Sequence, residues 1–439
     1  VSSSRLWDPL KRASFRKLAA SYAINEMGDW LGLVALSVFV FDLTGSALAT
    51  TLLFLGNGFL PALLAPLLVA KLERPPPRFV LPSIYAAESA TFLGLALVVD
   101  HFSLAAVVAL AAVDGALALT AKTLTRAVAA AMLEPHGELR AGNAILNVAF
   151  TAGSAIGPIV AGGVVASLGV QSALILDAVS FYAIAWIVLS ARQLPQAEPE
   201  PGQLREQLRA GLGYIRGHRT LYRLLSAQAV VLVFFTIVVP VEVVYAKETL
   251  GASDTGYGIL IASWGAGMLI GSAVFATLRR ASLPVLLFLS TLGVGAGYLG
   301  MAAAQTLPIA CAAAFVGGIG NGVQWVAAVS AVQELTAAQM QARVVSVLES
   351  IGAATPGLGF VLGGLIATGF GTRSAFLFAG AGAVLTALAA VPFLGTKWPA
   401  HSAKDILSEA PDDDVMVELI PAMPAATSAG DSSRSTWRF

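Results

Sequence analysis

Long apolar stretches of about 20 residues, bounded by glycine, proline or charge, recur along almost the whole chain, and each is long enough to cross a bilayer as a helix. Twelve spans are predicted, near 18–41, 47–70, 79–99, 103–125, 141–168, 171–191, 222–246, 255–277, 283–303, 308–332, 344–369 and 374–395. The fifth contains GSAIGPIVAGG, Gly153 to Gly163, and this stretch returns in altered form about 200 residues later. Gly162 and Gly163 open GGVVASLGVQSALIL, and Gly363 and Gly364 open GGLIATGFGTRSAFLF, which matches it class by class after one inserted residue. A proline precedes each copy, Pro158 and Pro356. The expected fold is therefore an all-α integral membrane protein of twelve transmembrane helices in two pseudo-symmetric six-helix bundles. Its parts are a cytoplasmic segment 1–17, a first bundle 18–191, a linker 192–221, a second bundle 222–396 and a disordered cytoplasmic tail 397–439. The small residues and the proline permit close helix approach and a bend or hinge; plain helix packing is the alternative reading.

Composition agrees with the pattern. Of 439 residues 57% are hydrophobic and 12% charged, and the mean hydropathy is +0.78, whereas a soluble globule is typically about 25% charged. Lysine and arginine are retained on the cytoplasmic side of membranes. With the amino terminus inside, Lys247 and Arg373 fall in outer loops, Lys122 and Arg126 belong to span four, and all the others are cytoplasmic. Both termini are thus expected in the cytoplasm, in a multi-pass protein of the inner or plasma membrane. In the linker, Leu204, Leu208, Leu212 and Ile215 form one helical face against Arg205, Arg209, Arg216 and Arg219, which suggests an amphipathic helix at the inner headgroups.

Several chemistries are excluded. The single cysteine, Cys311, rules out a disulfide framework or a cysteine-ligated metal. The four histidines sit in predicted loops or tails without ligand spacing, and no GxxxxGK[ST] loop is present. No metal, cofactor or nucleic acid is expected. No nucleophile, base and orienting residue converge at recognisable spacing, so the protein is not read as an enzyme.

Ionisable groups inside spans cost about 2.5–3.5 kcal/mol each on insertion scales, so each asks for a reason. Span one holds the densest set, with Tyr22, Asn25, Glu26 and Asp29 within about two turns. Glu26 and Asp29 are three apart and share a helical face. Two carboxylates this close in a low dielectric do not ionise together easily, which is what a proton carrier needs. A buried ion pair with span four is the alternative, and the two can coexist. Span four offers Asp114, Lys122 and Arg126 on one slowly drifting stripe. Lys122 either pairs with an acid or snorkels to headgroups, and Arg126 would modulate a carboxylate, Asp29 above all, rather than carry a proton. Glu88 and Asp177 read as structural acids hydrogen-bonded to a neighbouring helix, Glu242 as an acid near the outer mouth, and Glu349 as a partner for Arg343. Asn321, Gln324 and Trp325 in span ten, with Tyr22 and Asn25, form a polar and aromatic set that suits an amphipathic ligand.

Twelve spans in two repeats, a cytoplasmic linker and GSAIGPIVAGG together resemble the major facilitator superfamily over about residues 15–396. FRKLAASYAINEMGDWLGLVALSVFVFDLTGSALATTLLF, LREQLRAGLGYIRGH and ARVVSVLESIGAATPGLGFVLGG look like its drug:proton antiporter branch of macrolide-efflux and enterobactin-exporter type. The resemblance implies that Gly153, Gly157, Pro158, Gly162 and the adjoining Gly163 form a hinge motif associated with exchange against protons. It also implies that Asp29 is the acidic position of span one and Arg126 the span-four arginine. The loop after span two should carry a latch of glycine, aspartate and basic residues. Here Val69 replaces the glycine and Glu73 the aspartate, followed by Arg74 and, after three prolines, Arg78.

The expected function is proton-coupled export of a small amphipathic molecule, by a monomer whose partners are the substrate, protons and the bilayer. Uptake or lysolipid movement, and a non-transporting receptor or scaffold, are the alternatives.

Overall fold

The computed structural model describes residues 7–191, 194–196, 204–278, 281–337 and 340–391. The expected tail 397–439, most of the Pro/Glu part of the linker, and Arg279 and Arg280 lie outside these, as do the side chains of residues 204–207 and Glu349.

The described chain is helical throughout. The first bundle consists of α1 (Ala13–Thr44), α2 (Ala47–Leu72), α3 (Pro77–Val98) and α4 (Leu104–Leu133), then α5 (139–168) and α6 (170–189). After the linker helix α7 (Leu204–Gly217), the second bundle follows as α8 (Arg219–Thr249), α9 (Asp254–Thr277), α10 (Leu283–Ala303), α11 (Leu307–Glu334), α12 (Gln341–Phe370) and α13 (Thr372–Ala390). Twelve of the thirteen are membrane spans. Helices α5 and α6 run on as Leu139–Leu189, 51 residues, which at 1.5 Å per residue would be about 76 Å, more than twice the hydrocarbon core. Gly169 divides them, with φ 80 and ψ 166 inside otherwise helical backbone. Gly371 does the same between α12 and α13 with φ 84 and ψ 162. A side chain at either glycine would be strained, and the matching pair of breaks is the two-fold repeat made visible in the backbone.

Sequence signals explain the ends. Gly45, left-handed at φ 58, stops α1, and the hydroxyls of Ser46, Ser103 and Ser253 accept the amides of Ala49, Ala106 and Gly256 to start α2, α4 and α9. These turns, with Gly169 and Gly371, lie at one end of the spans, called here the turn face. Arg16, Lys17, Lys71, Arg219 and Arg343 lie at the other, the basic face. Large apolar side chains such as Leu97, Trp186, Phe370 and Leu385 stay exposed on the outside, as lipid-facing positions do, while small residues gather at helix crossings.

The bundles meet along two seams that run from mid-span to the turn face. In one, Gly258 of α9 sits on the carbonyl of Pro158, and a Cβ on Gly162 would lie 2.6 Å from the Asp254 carbonyl. In the other, α12 crosses α2, with Gly364 against Thr51 and Gly357 against the Phe59 ring. Lys247 of α8 closes the turn face by pairing with Asp42 of α1 at 2.5 Å and Asp254 of α9 at 2.8 Å.

The linker helix packs on the basic-face end of the second bundle. Ile215 of α7 is buried with Leu221, Leu225, Val332, Val344 and Val347, and Leu208 packs against the same cluster. Gly211 permits this, because a Cβ there would come within 2.6 Å of the Arg343 carbonyl. Ile215 and Leu208 of the apolar face thus pack on the second bundle, while Leu212 of the same face is exposed.

Candidate functional site

Antiparallel packing of α1 and α4 brings their polar positions together in register. Lys122 Nζ lies 3.0 Å from Glu26 Oε1 and 3.0 Å from Asp29 Oδ2. Asn25 Nδ2 donates to Asp29 Oδ2 at 3.1 Å. The Glu26 side chain is 2% exposed, whereas those of Asp29 and Lys122 are 26% and 27% exposed. One acid is therefore sealed in and the other reaches open space, with the ammonium between them. Removing one partner of a buried pair typically costs about 3–5 kcal/mol, so this trio is strongly interdependent. Two carboxylates against one ammonium leave a net charge of −1, which one proton would cancel.

One turn closer to the basic face, Arg126 donates to the Tyr22 hydroxyl at 2.8 Å, lies over its ring at 5.4 Å, and reaches Asn147 Oδ1 at 3.5 Å. The expected pairing of Arg126 with Asp29 is thus corrected. In an antiparallel crossing the residue one turn beyond Lys122 faces the residue one turn before Glu26, and that residue is Tyr22. Lys122 turns to the acids rather than to headgroups, and the Phe150 ring of α5 lies 5.8 Å from its ammonium.

Helix α5 ties this crossing to the seam. One face of the glycine motif touches α1, since a Cβ on Gly153 would lie 3.0 Å from Glu26 Cβ and one on Gly157 2.8 Å from Trp30. The next face carries Pro158 and Gly162 against α9. Gly163 has open space around it. A single helix therefore contacts both the charged trio and the opposite bundle.

Other acids lie apart. Asp114 is 7% exposed, and Asn57 Nδ2 donates to it at 3.4 Å and to the Ala111 carbonyl at 3.3 Å. Asn57 sits in a π-turn of α2, Leu55–Phe59, the kind of helix defect often found at functional sites. The expectation that Glu88 and Asp177 bond to a neighbouring helix fails. Both are fully buried, neither Glu88 oxygen has a hydrogen-bond partner among the described residues, and Asp177 accepts from Ser180 of its own helix at 3.1 Å. Against Asp177 stand Gly28 and Gly32, which offer no donor side chain. Glu242 follows the break in α8 at Val239–Val241 and is half-buried.

The span-ten set is split. Gln324 is buried and donates through Nε2 to Gln228 Oε1 of α8 at 2.6 Å, while Trp325 is exposed and Asn321 half-buried. In the loop after α2, Arg74 and Arg78 are exposed, Arg78 lies over the Phe79 ring at 4.5 Å, and the Glu73 and Arg74 carbonyls accept from Gln196 of the linker. Asn57, Asn147, Phe150 and Gln228 were not singled out in the sequence. For Asn57 the flanking glycines of LGNGF were the available signal.

The sequence matches, over residues 4–421, the family described as transmembrane secretion effector. No match is found among curated proteins. Solved structures share the fold at low identity. The nucleoside transporter NupG matches with TM-score 0.65 and 14% identity over 88% of this chain and 100% of its own. A POT family transporter in complex with 5-aminolevulinic acid matches at 0.70 and 12%, over 87% and 96%. A bacterial homolog of the human lysosomal transporter Spinster, in an inward-facing and unoccupied conformation, matches at 0.62 and 14%, over 90% and 97%. A family match along nearly the whole chain, on two bundles joined by glycine seams, leads to one conclusion: the chain belongs to the transmembrane secretion effector family, within the major facilitator superfamily, and is a membrane transporter.

Proposed function

We propose that the protein is a monomeric secondary transporter of the inner or plasma membrane that exports a small amphipathic molecule in exchange for protons. The observation that carries this reading is Lys122 held between Glu26 and Asp29, on a crossing that α5 links to the other bundle. Asp29, the more open acid, takes and releases the proton. When it is charged it holds Lys122 jointly with Glu26; when it is neutral Lys122 turns wholly to Glu26, and the packing of α1 on Gly153 and Gly157 adjusts. The same helix bears the seam at Pro158 and Gly162, so the change reaches the interface about which the bundles rock. A ligand with different affinity for the two arrangements shifts their populations. The basic face is taken as cytoplasmic, so the contacts at the turn face describe a conformation closed to the outside.

In reconstituted vesicles with an imposed pH difference, wild type is expected to accumulate substrate against its gradient. Asp29→Asn is expected to lose accumulation while keeping equilibrium binding, and Glu26→Gln to be milder. Accumulation by Asp29→Asn would move the carrier elsewhere, with Asp114 and then Glu242 next. Orientation has its own test: in a Cys311→Ala background, a cysteine at exposed Ser103 should react with an impermeant thiol reagent from outside and one at exposed His136 from inside. The reverse labelling would overturn the assignment of faces.

A further inference from the structure

From Gln207 to Val241 the sequence holds no Asp or Glu, yet α7 and the start of α8 carry a run of arginines. Arg209, Arg216 and Arg219 are exposed, and none of the three forms a hydrogen bond or an ion pair among the described residues. Seven residues apart, Arg209 and Arg216 make one ridge along α7. Leu212, 41% exposed, lies between that ridge and the stripe of Leu208, Gly211 and Ile215 that packs on the second bundle. Arg219 opens α8 after the single residue His218, and Tyr222, one turn further, is 53% exposed. The depth of this surface follows from the packing. Ile215 is buried against Leu221 and Leu225 of α8, Val332 near the end of α11 and Val344 at the start of α12, so α7 lies across the ends of three spans. Helix α8 has 31 residues, about 46 Å at 1.5 Å per residue, against a hydrocarbon core of about 30 Å. Its first turn therefore lies among the headgroups, and α7 with it.

We propose that α7 and the first turn of α8 form a binding surface for the headgroups of anionic phospholipids. The planar guanidinium of each arginine matches a phosphodiester, and three positive charges without a protein partner favour a lipid of net negative charge over a zwitterionic one. Leu212 and Tyr222 beside them take the glycerol and upper acyl region, as apolar and aromatic side chains do at this depth. Because Gly211 seats α7 on the Arg343 carbonyl at the start of α12, lipids held there bear on a helix that forms a seam with the first bundle. The surface is in the opposite bundle from Asp29, and it rests neither on proton coupling nor on which face is cytoplasmic.

The test is photochemical capture of lipid by the full-length protein in nanodiscs of phosphatidylcholine with a minor share of phosphatidylglycerol. A benzophenone amino acid is placed at Leu212, or for reference at Val179 of α6, which is 57% exposed in mid-span. Mass spectrometry then reads the ratio of the two lipids in the adducts. At Val179 the ratio should be that of the bilayer, and at Leu212 phosphatidylglycerol should be enriched. Each of Arg209→Gln, Arg216→Gln and Arg219→Gln should lower the enrichment by up to about fivefold, and the three together should bring it to the Val179 ratio. A Leu212 probe that captures no lipid, or captures it at the Val179 ratio, would overturn the proposal, as would enrichment that survives in the triple variant. If the triple variant fails to fold, salt decides with the arginines in place. Enrichment carried by exposed charge should fall toward the Val179 ratio as ionic strength rises, and enrichment indifferent to salt would overturn it.

Discussion

The two bundles repeat the same crossing with different chemistry. In the first, α1 and α4 cross through a charged trio, Glu26, Asp29 and Lys122. In the second, α8 and α11 cross through two neutral amides, Gln228 and Gln324. Gln228 follows Glu26, and Gln324 follows Lys122, by about 200 residues, the interval that separates Gly169 from Gly371. The second bundle thus shows that a neutral hydrogen bond is enough to hold this crossing. Buried ion pairs are seldom more stable than well-fitted neutral replacements, so stability does not explain the charges in the first bundle. On the proposed function their use lies in being able to change, which is why that proposal gives the coupling to the first bundle.

The largest expected effect comes from breaking the charged crossing on one side. Lys122→Met leaves Glu26 sealed in without its ammonium and should lower stability by about 3–5 kcal/mol. Adding Glu26→Gln and Asp29→Asn, which makes the crossing neutral as in the second bundle, should restore most of this without restoring proton-driven accumulation. Thermal unfolding of the single and triple variants in detergent measures the difference; a Lys122→Met protein that melts with wild type would mean the trio does not carry the crossing.

Next is the helix that couples the crossing to the seam. Gly157→Leu must displace Trp30 and should cost about 1–3 kcal/mol as an overpacked site, with transport lost. Gly163→Leu, where nothing lies within 4 Å, should leave both stability and transport unchanged. Equal transport by the two variants would reduce the motif to packing.

The amide crossing should respond less than the charged one. Gln324→Leu alone strands the Gln228 carbonyl and should cost about 1–3 kcal/mol, while Gln228→Leu with Gln324→Leu should be near wild type, since removing both partners of a hydrogen bond can be nearly neutral. A double variant as unstable as Lys122→Met would show that the two crossings are not equivalent after all.

Much of this was legible in the sequence. Span number, the repeat and the polar cluster of span one follow from local rules: length of apolar runs, similarity at a fixed interval, and i, i+3 spacing. Which residue of α4 meets Asp29 does not, because it depends on how two helices slide past each other, and a shift of one turn exchanges Lys122 for Arg126. Span ten illustrates the same limit. Asn321, Gln324 and Trp325 are neighbours in sequence, yet the crossing buries Gln324 on Gln228 and leaves Trp325 outside. The linker helix reads as amphipathic, but amphipathicity does not say which part of the apolar face meets protein; the structure buries Ile215 and leaves Leu212 exposed, with Gly211 against Arg343.

The smallest effect sets the scale for the charged crossing, because it is a half-buried ion pair outside the spans, with no partner as sealed in as Glu26. Arg12 Nε donates to Glu138 Oε2 at 2.9 Å, and a second nitrogen reaches Oε1 at 3.2 Å, clipping the start of α1 to the turn between α4 and α5. The hydrogen bond from Arg12, and then its charge, hold the Glu138 carboxyl below its ordinary value of 4.5 despite slight burial. A carboxyl lowered in the folded state adds stability above its unfolded value, and that stability fades as pH falls through the lowered value. Pairs that keep solvent access contribute little. Glu138→Gln should therefore melt only slightly below wild type at pH 7, and the gap should close in acid as pH falls through the lowered Glu138 value. Lys122→Met, by contrast, should melt far below wild type at pH 7. A Glu138→Gln loss as large as that of Lys122→Met would mean that charge, and not its burial in the crossing of α1 and α4, sets the difference between the two sites.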